Sequence, residues 1–224
     1  MHPPKGSRTH ISNRRPHSDF MAYVTVWTTS GASLQRPNAS FVCHTVPMEH
    51  VDRDALEEGL EEIRRSPRES GTVELIVRRP LEEEREVLDE AELDPEQGVV
   101  GDRWHAGGTG KRERQLTLMN ARAAALVAQT RERWPLAGDQ LYVDLDLSGA
   151  HLPPGTRLEV GSAVVEVTPE PHTGCGKFSR RFGVDALKFV NSPSGRELNA
   201  RGINARIVTA GTVRTGDVIR KTAT

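Results

Sequence analysis

The sequence predicts a mainly β fold with a few helices, in which the strands close into a barrel. Short runs rich in valine, leucine and threonine recur from Gly71 onward, and Gly, Pro and Asp turns separate them. One of these runs alternates strictly between apolar and polar residues. Many short strands are typical of barrels and sandwiches, and closure into a barrel removes the exposed strand edges.

The predicted strands follow one another closely from residue 71 to residue 221. They are TVELIVRR, RQLTLMN, DQLYVDLDL, TRLEVG and SAVVEVT, followed by two short strands in ARIVTAGTVRTGDVIRK that Gly211 and Gly216 delimit. Two helices are predicted between them. Residues 121–133 are rich in alanine, and residues 183–190 are flanked by glycine.

The clearest period lies in the segment from 140 to 148. Its apolar residues recur at every second position, which predicts a strand with one buried face, and Tyr142 falls on the opposite, polar side. The apolar residues of this pattern are Leu141, Val143, Leu145 and Leu147.

Composition divides the chain into three parts. Residues 1–47 carry scattered polar residues and proline without a sustained period, so we predict that they are disordered or belong to an over-extended gene start. Residues 48–70 predict a helical lead-in, and residues 71–221 form the predicted barrel domain. The apolar residues at helical spacing in the lead-in are Leu56, Leu60 and Ile63, with Asp52 or Asp54 as the cap.

Charge and composition argue against several classes of function. The 224 residues include 30 Lys plus Arg and 31 Asp plus Glu, so no overall field recruits nucleic acid or a membrane surface. The apolar runs are far shorter than the roughly 20 residues of a membrane-spanning helix. The two cysteines, Cys43 and Cys175, lie far apart in different contexts, which predicts free thiols and a reducing, cytoplasmic compartment.

The segment PEPHTGCGKFSRRFG holds the strongest candidate for chemistry. Cys175 follows a predicted strand in a loop shaped by proline and glycine, with His172 before it and Lys177, Arg180 and Arg181 after it. These cations favour the thiolate, which is the form that attacks an electrophile or binds a metal. The alternative is that Cys175 is a small buried hydrophobic residue.

Two further glycine-containing segments offer cations to an anionic ligand. GVVGDRWHAGGTGKRERQ carries Asp102, Arg103 and His105, and SPSGRELNARGINARIV carries three arginines, among them Arg201. Guanidinium groups suit the oxygens of phosphate or molybdate. The first segment lacks the spacing of a phosphate-binding P-loop, and a mobile, solvated loop is the alternative. The acidic runs LEEGLEEI and LEEERE predict solvated faces without a role in chemistry.

The order of these segments resembles the MOSC domain family, the C-terminal domains of molybdenum cofactor sulfurases and their stand-alone relatives. The most specific feature is a single cysteine placed after the strand that ends in EVT. The matching segments are GDRW at 101–104, QLTLMN at 115–120, GDQLYVDLDL at 138–147, LPPGTRLEVGSAVVEVT at 152–168, the Cys175 loop, RGINARIV and GDVI.

The resemblance implies a closed barrel that holds a molybdenum-pterin cofactor in a groove. The family cysteine, here Cys175, is then a sulfur carrier or a direct molybdenum ligand and the candidate catalytic residue. The candidate cofactor-binding residues are Asp102, Arg103, His105, His172, Lys177, Arg181 and Arg201. The sulfurases also have a pyridoxal phosphate domain, for which this chain has no room, so pyridoxal phosphate is not expected here.

Three functions remain open at this point. The first is a molybdenum cofactor-dependent oxidoreductase that reduces N-hydroxylated compounds. It needs an electron-donor protein, because the sequence has no flavin, iron-sulfur or dinucleotide motif. The second is a non-catalytic carrier of sulfur or of the cofactor that uses a persulfide on Cys175. The third is a barrel adapter whose cysteine is inert.

Overall fold

The structure, a computed structural model, describes residues 49–106 and 110–222. Its strands are β1 (Gly71–Arg78), β2 (Glu86–Leu88), β3 (Glu90–Asp94), β4 (Gly98–Val99), β5 (Leu116–Asn120), β6 (Leu141–Asp144), β7 (Arg157–Val160), β8 (Ala163–Val167), β9 (Ile203–Thr209), β10 (Gly211–Arg214) and β11 (Val218–Lys221). Its helices are α1 (Arg53–Glu58), α2 (Leu60–Arg64), α3 (Arg103–Ala106), α4 (Ala121–Ala128), α5 (Gly176–Asn191) and α6 (Pro193–Glu197), with 3-10 helices at Arg112–Arg114 and Arg131–Ala137.

Seven strands close into a barrel because β11 pairs with both β7 and β1. The order β11-β7-β8-β9-β5-β6-β1 runs once around the barrel, and β2 extends the sheet beyond β1. Neighbouring strands are antiparallel except β5 and β6, which run parallel and are joined through α4. A smaller sheet has the order β10-β3-β4. The fold class predicted from the sequence is confirmed.

Apolar residues are buried on both sides of the barrel wall. One cluster fills the interior and includes Leu118 and Val143, and a second cluster packs Tyr142 and Met119 against the helices. The prediction that Tyr142 lies on a polar face is wrong. Its ring is fully buried and its hydroxyl donates to the carbonyl of Trp134, because helices cover that side of β6.

The two predicted helices exist, with different bounds. α4 begins where the side chain of Asn120 accepts hydrogen bonds from two backbone N–H groups, and it ends at Ala128, earlier than predicted. α5 begins directly after Cys175 and is kinked at Gly183, where φ is 93°. The sequence predicts that the helix begins at this glycine, because glycine often marks a helix end. Instead, the ring of His50 packs against Gly183, where a Cβ would lie 2.9 Å from that ring.

Two short helices, α1 and α2, lie before the barrel. Asp52 caps α1 by accepting a hydrogen bond from the Ala55 backbone, and Leu56 and Ile63 are buried. Among the described residues, no helix combines the length and the apolar character needed to span a membrane. The predicted disorder of residues 1–47, and Cys43 with it, lies outside the described residues.

Candidate functional site

A cleft of about 590 Å³ lies beside the start of α5. Its walls come from the end of β1, from α3, from the first 3-10 helix, from β5 and β9, and from the loop before α5. The side chains in these walls that can bind a ligand or take part in chemistry are Arg79, Arg103, Trp104, Arg114, His172 and Cys175. Of the sequence-predicted site residues, Cys175, His172 and Arg103 are therefore brought together in one cleft.

Cys175 occupies the N-cap position of α5, and its side chain is exposed. Partial burial raises the pKa of its thiol, whereas the nearby backbone N–H groups of Phe178 and Lys177 lower it. The charges of Arg201 and Arg181 lower the pKa further. The net pKa lies below the ordinary value of a cysteine, so at a given pH a larger fraction of this thiol is ionised than in a free cysteine. The reading of Cys175 as a buried packing residue is wrong.

The lowered pKa leads to an expected alkylation profile. In a Cys43→Ser background, the rate at which iodoacetamide modifies Cys175 should reach half its maximum below pH about 8.5, the pKa of a free cysteine. A lower pKa leaves more thiolate at neutral pH, so the reaction should be faster there than with free cysteine in the same buffer. A midpoint at or above that of free cysteine, or reaction only after unfolding, contradicts the acidified, exposed thiol.

Three other predicted site residues do not line the cleft. Lys177 pairs with Glu82 and Glu83, with 3.0 Å between its Nζ and Glu83 Oε1. Arg181 pairs with Glu83 and donates to the carbonyl of Leu136 at 2.8 Å. The exposed His105 has its Nδ1 atom 3.2 Å from the Glu96 carbonyl oxygen. The sequence predicts the acidic run LEEERE only as a solvated face. In the structure, Glu82 and Glu83 of this run form ion pairs that connect the loop after β1 to α5.

Asp102 lies behind the cleft, where it holds Arg79 in place. Its buried carboxylate accepts hydrogen bonds from Arg79 Nε at 2.9 Å and Nη2 at 3.0 Å. It also accepts from the backbone N–H groups of Arg79 and Trp104, both at 2.9 Å. Because protein donors engage both oxygens, Asp102 orients a cleft arginine and the start of α3.

Arg201 is buried next to the loop that carries Cys175. Its Nη1 donates to Asp139 Oδ2 at 2.6 Å, and its Nη2 donates to the carbonyl of Ala137 at 2.9 Å. Its guanidinium carbon lies 5.1 Å from the centre of the Phe178 ring. Arg201 therefore acts on the cleft through its charge, which lowers the pKa of Cys175.

His172 lines the cleft and is mostly buried. Its Nδ1 atom lies 3.5 Å from Asp139 Oδ1. Burial lowers the pKa of this imidazole to about 3, and the nearby charge of Arg201 lowers it as well. The ring is therefore neutral at physiological pH, so one ring nitrogen carries a proton and the other is a hydrogen-bond acceptor.

Sequence reasoning missed several residues of this site. Arg79 is the last residue of a predicted strand, and Asp139 belongs to the GDQL segment, for which the sequence predicts only the start of a strand. Asn204 and Thr117 lie on β9 and β5 and contribute polar groups to the cleft. The sequence signal for Asp139 is an acidic residue directly after glycine, a feature that GDQL shares with GDRW. Both aspartates are fully buried and pair with arginines of the site.

Comparisons with known proteins give one family match and several similar structures. The MOSC domain family matches residues 102–220, which is more than half of the chain. The chain is similar in fold to the YuaD protein from Bacillus subtilis, at 17% identity and a TM-score of 0.53, over 69% of this chain and 97% of that one. YiiM from Escherichia coli also matches, at 18% identity and a TM-score of 0.47, over 68% of this chain and 70% of YiiM. A search of curated proteins finds no significant match. The closed barrel and the extent of the family match establish that this chain belongs to the MOSC domain family.

Proposed function

We propose that this protein binds a molybdenum-pterin cofactor in the cleft and reduces N-hydroxylated compounds, with Cys175 as a ligand to the metal. One observation carries the proposal: the exposed, acidified thiol of Cys175 shares a cleft with the guanidinium groups of Arg79, Arg103 and Arg114. Thiolate is a soft ligand for transition metals, and guanidinium groups match the oxygens of phosphate.

The cleft fits such a group in size and charge. Its volume of about 590 Å³ lies within the range of roughly 300 to 1,000 Å³ that is usual for small-molecule and cofactor sites. Within residues 49–106 and 110–222, Arg103 forms no ion pair, so its charge is available to an anion. Arg79 is held rigidly by Asp102, and Arg114 pairs with Glu170 at the cleft. Trp104 adds an aromatic face, against which a planar ring can pack.

The reaction has a simple balance. The N–O bond of the hydroxylamine breaks, two electrons and two protons enter, and the products are an amine and water. The bound cofactor supplies the two-electron redox chemistry. The electrons come from an electron-transfer protein, which is the partner that this proposal requires. The residues of the chain hold the metal through Cys175, neutralise anionic groups through the arginines and orient the substrate.

The exposure of the thiol also suits the second function, a carrier with a persulfide on Cys175. An assay with reduced methyl viologen as the artificial donor separates the two. Protein purified from a cofactor-producing host should convert an N-hydroxylated base to its amine. Bound cofactor without turnover supports the carrier instead, and the absence of both cofactor and turnover contradicts the reductase and favours the adapter with an inert cysteine.

The cleft arginines should be needed for cofactor retention. Loss of one charge-assisted hydrogen bond in Arg103→Ala or Arg114→Ala should weaken retention roughly 10- to 100-fold. The matched control is Arg112→Ala, since Arg112 belongs to the same 3-10 helix as Arg114, pairs with Glu96 and does not line the cleft. Molybdenum and pterin content after dialysis measure the effect. An equal loss in the control contradicts binding at the cleft.

A further inference from the structure

Asp139 and Arg201 lie behind the wall of the cleft, next to His172, which lines it, and two polar atoms of this cluster lie close together without forming a hydrogen bond. One oxygen of the fully buried Asp139 carboxylate accepts a hydrogen bond from Arg201 at 2.6 Å. The other oxygen, Oδ1, lies 3.5 Å from His172 Nδ1. Within the described residues, neither of these two atoms has a hydrogen-bond partner.

A hydrogen bond between Asp139 Oδ1 and His172 Nδ1 would decide which nitrogen of His172 carries the proton. A buried polar group without a hydrogen-bond partner costs free energy. Two such atoms that lie only a few tenths of an ångström beyond bonding distance can form a hydrogen bond after a small movement. Hydrogen bonds of functional groups are often long before a ligand binds and shorten when it arrives. Because a carboxylate oxygen only accepts, a hydrogen bond between these atoms would require the proton on Nδ1 and leave Nε2 as the unprotonated acceptor.

The backbone of Gly202 keeps the imidazole in this position. Gly202 has a φ of +110°, and a Cβ there would lie 3.1 Å from His172 Nδ1 and 2.4 Å from the Leu118 carbonyl oxygen. The ring is thus backed by the chain on one side and by Asp139 on another. His172 also lines both the main cleft and a smaller adjoining pocket of about 190 Å³.

The geometry points to His172 as the residue that recognises the substrate, with Asp139 as its positioning residue. Asp139 directs the Nδ1–H group toward itself, so that Nε2 accepts a hydrogen bond from the N–OH group of the compound bound beside Cys175. This inference rests on the proposed function for the identity of that compound. The tautomer of His172 itself does not depend on it.

The first test uses protein without cofactor. Nitrogen-15 NMR of the imidazole, assigned by the loss of one signal in His172→Gln, should show the Nδ1–H tautomer in the wild type. In Asp139→Asn, the amide oxygen should pair with Arg201 and the amide N–H should face Nδ1, which drives the ring to the Nε2–H tautomer. An Nε2–H tautomer in the wild type, or no change in Asp139→Asn, overturns the inference.

The second test separates substrate recognition from cofactor binding. His172→Phe, which keeps a ring but no acceptor, should lower kcat/KM for the N-hydroxylated substrate roughly 10- to 100-fold, mainly through KM. His172→Gln should recover most of that loss, because its amide oxygen can take the place of Nε2. Both variants should retain the molybdenum content of the wild type. Loss of molybdenum in His172→Phe would assign His172 to the cofactor and overturn the inference. A wild-type protein without molybdenum would contradict only the proposed function, and the tautomer test would then decide the inference.

Discussion

Replacement of Cys175 by serine should abolish molybdenum retention while the protein still folds. A serine hydroxyl is hard and stays protonated at neutral pH, whereas the acidified thiol offers a soft thiolate. The start of α5 should survive, because serine is a favoured N-cap residue and Cys175 makes no side-chain capping bond. Metal analysis of the purified variant, together with its thermal unfolding, measures both effects.

Cys43→Ser is the matched control for this experiment, since it removes the other thiol of the chain. It should change neither the molybdenum content nor the activity. Full molybdenum content and full activity in Cys175→Ser would contradict the assignment of Cys175 as the ligand.

Asp102→Ala should cause the largest loss of stability among the site variants. The substitution removes the acceptor of four hydrogen bonds and leaves Arg79 without its carboxylate partner in a largely buried position. Breaking a buried ion pair from one side typically costs about 3 to 5 kcal/mol. For a domain of this size, that corresponds to a fall in the melting temperature of about 6 to 20 °C. Calorimetry or thermal circular dichroism measures it.

Glu96→Ala is the control for Asp102→Ala, because it also removes a carboxylate that pairs with an arginine. Both partners of the Glu96–Arg112 pair are largely exposed, so its loss should change stability by less than about 1 kcal/mol. If Asp102→Ala were as mild as the control, the buried carboxylate would not organise Arg79 and α3 as described.

The sequence predicts the barrel strands well, and it misses strands whose pattern is masked by charge. The strands β1, β5 and β8 are rich in valine, leucine and threonine, and the same composition predicts them. By contrast, β2 and β3 lie in a glutamate-rich stretch. Only Ala91 and Leu93 of β3 are buried, and its other side chains are polar, so its composition resembles a solvated loop.

Local sequence patterns likewise identify some residues of the site and miss others. Cys175 and His172 lie in one short segment, so local composition finds them. Ion pairs between distant segments are not visible in that way: Asp139 and Arg201 are 62 residues apart, and the strand pairing of the barrel brings them together. The sequence predicts Lys177 as a site residue because it follows the cysteine, yet its partner Glu82 lies 95 residues away in the chain. A sequence alone does not show which charges neutralise one another.

The molybdenum and pterin content of the purified protein tests the central claim most directly. Protein expressed in a host that makes the cofactor, and purified without added metal, is expected to contain stoichiometric molybdenum and pterin. Protein that contains neither, from cells in which other molybdenum enzymes are fully loaded, would contradict the account.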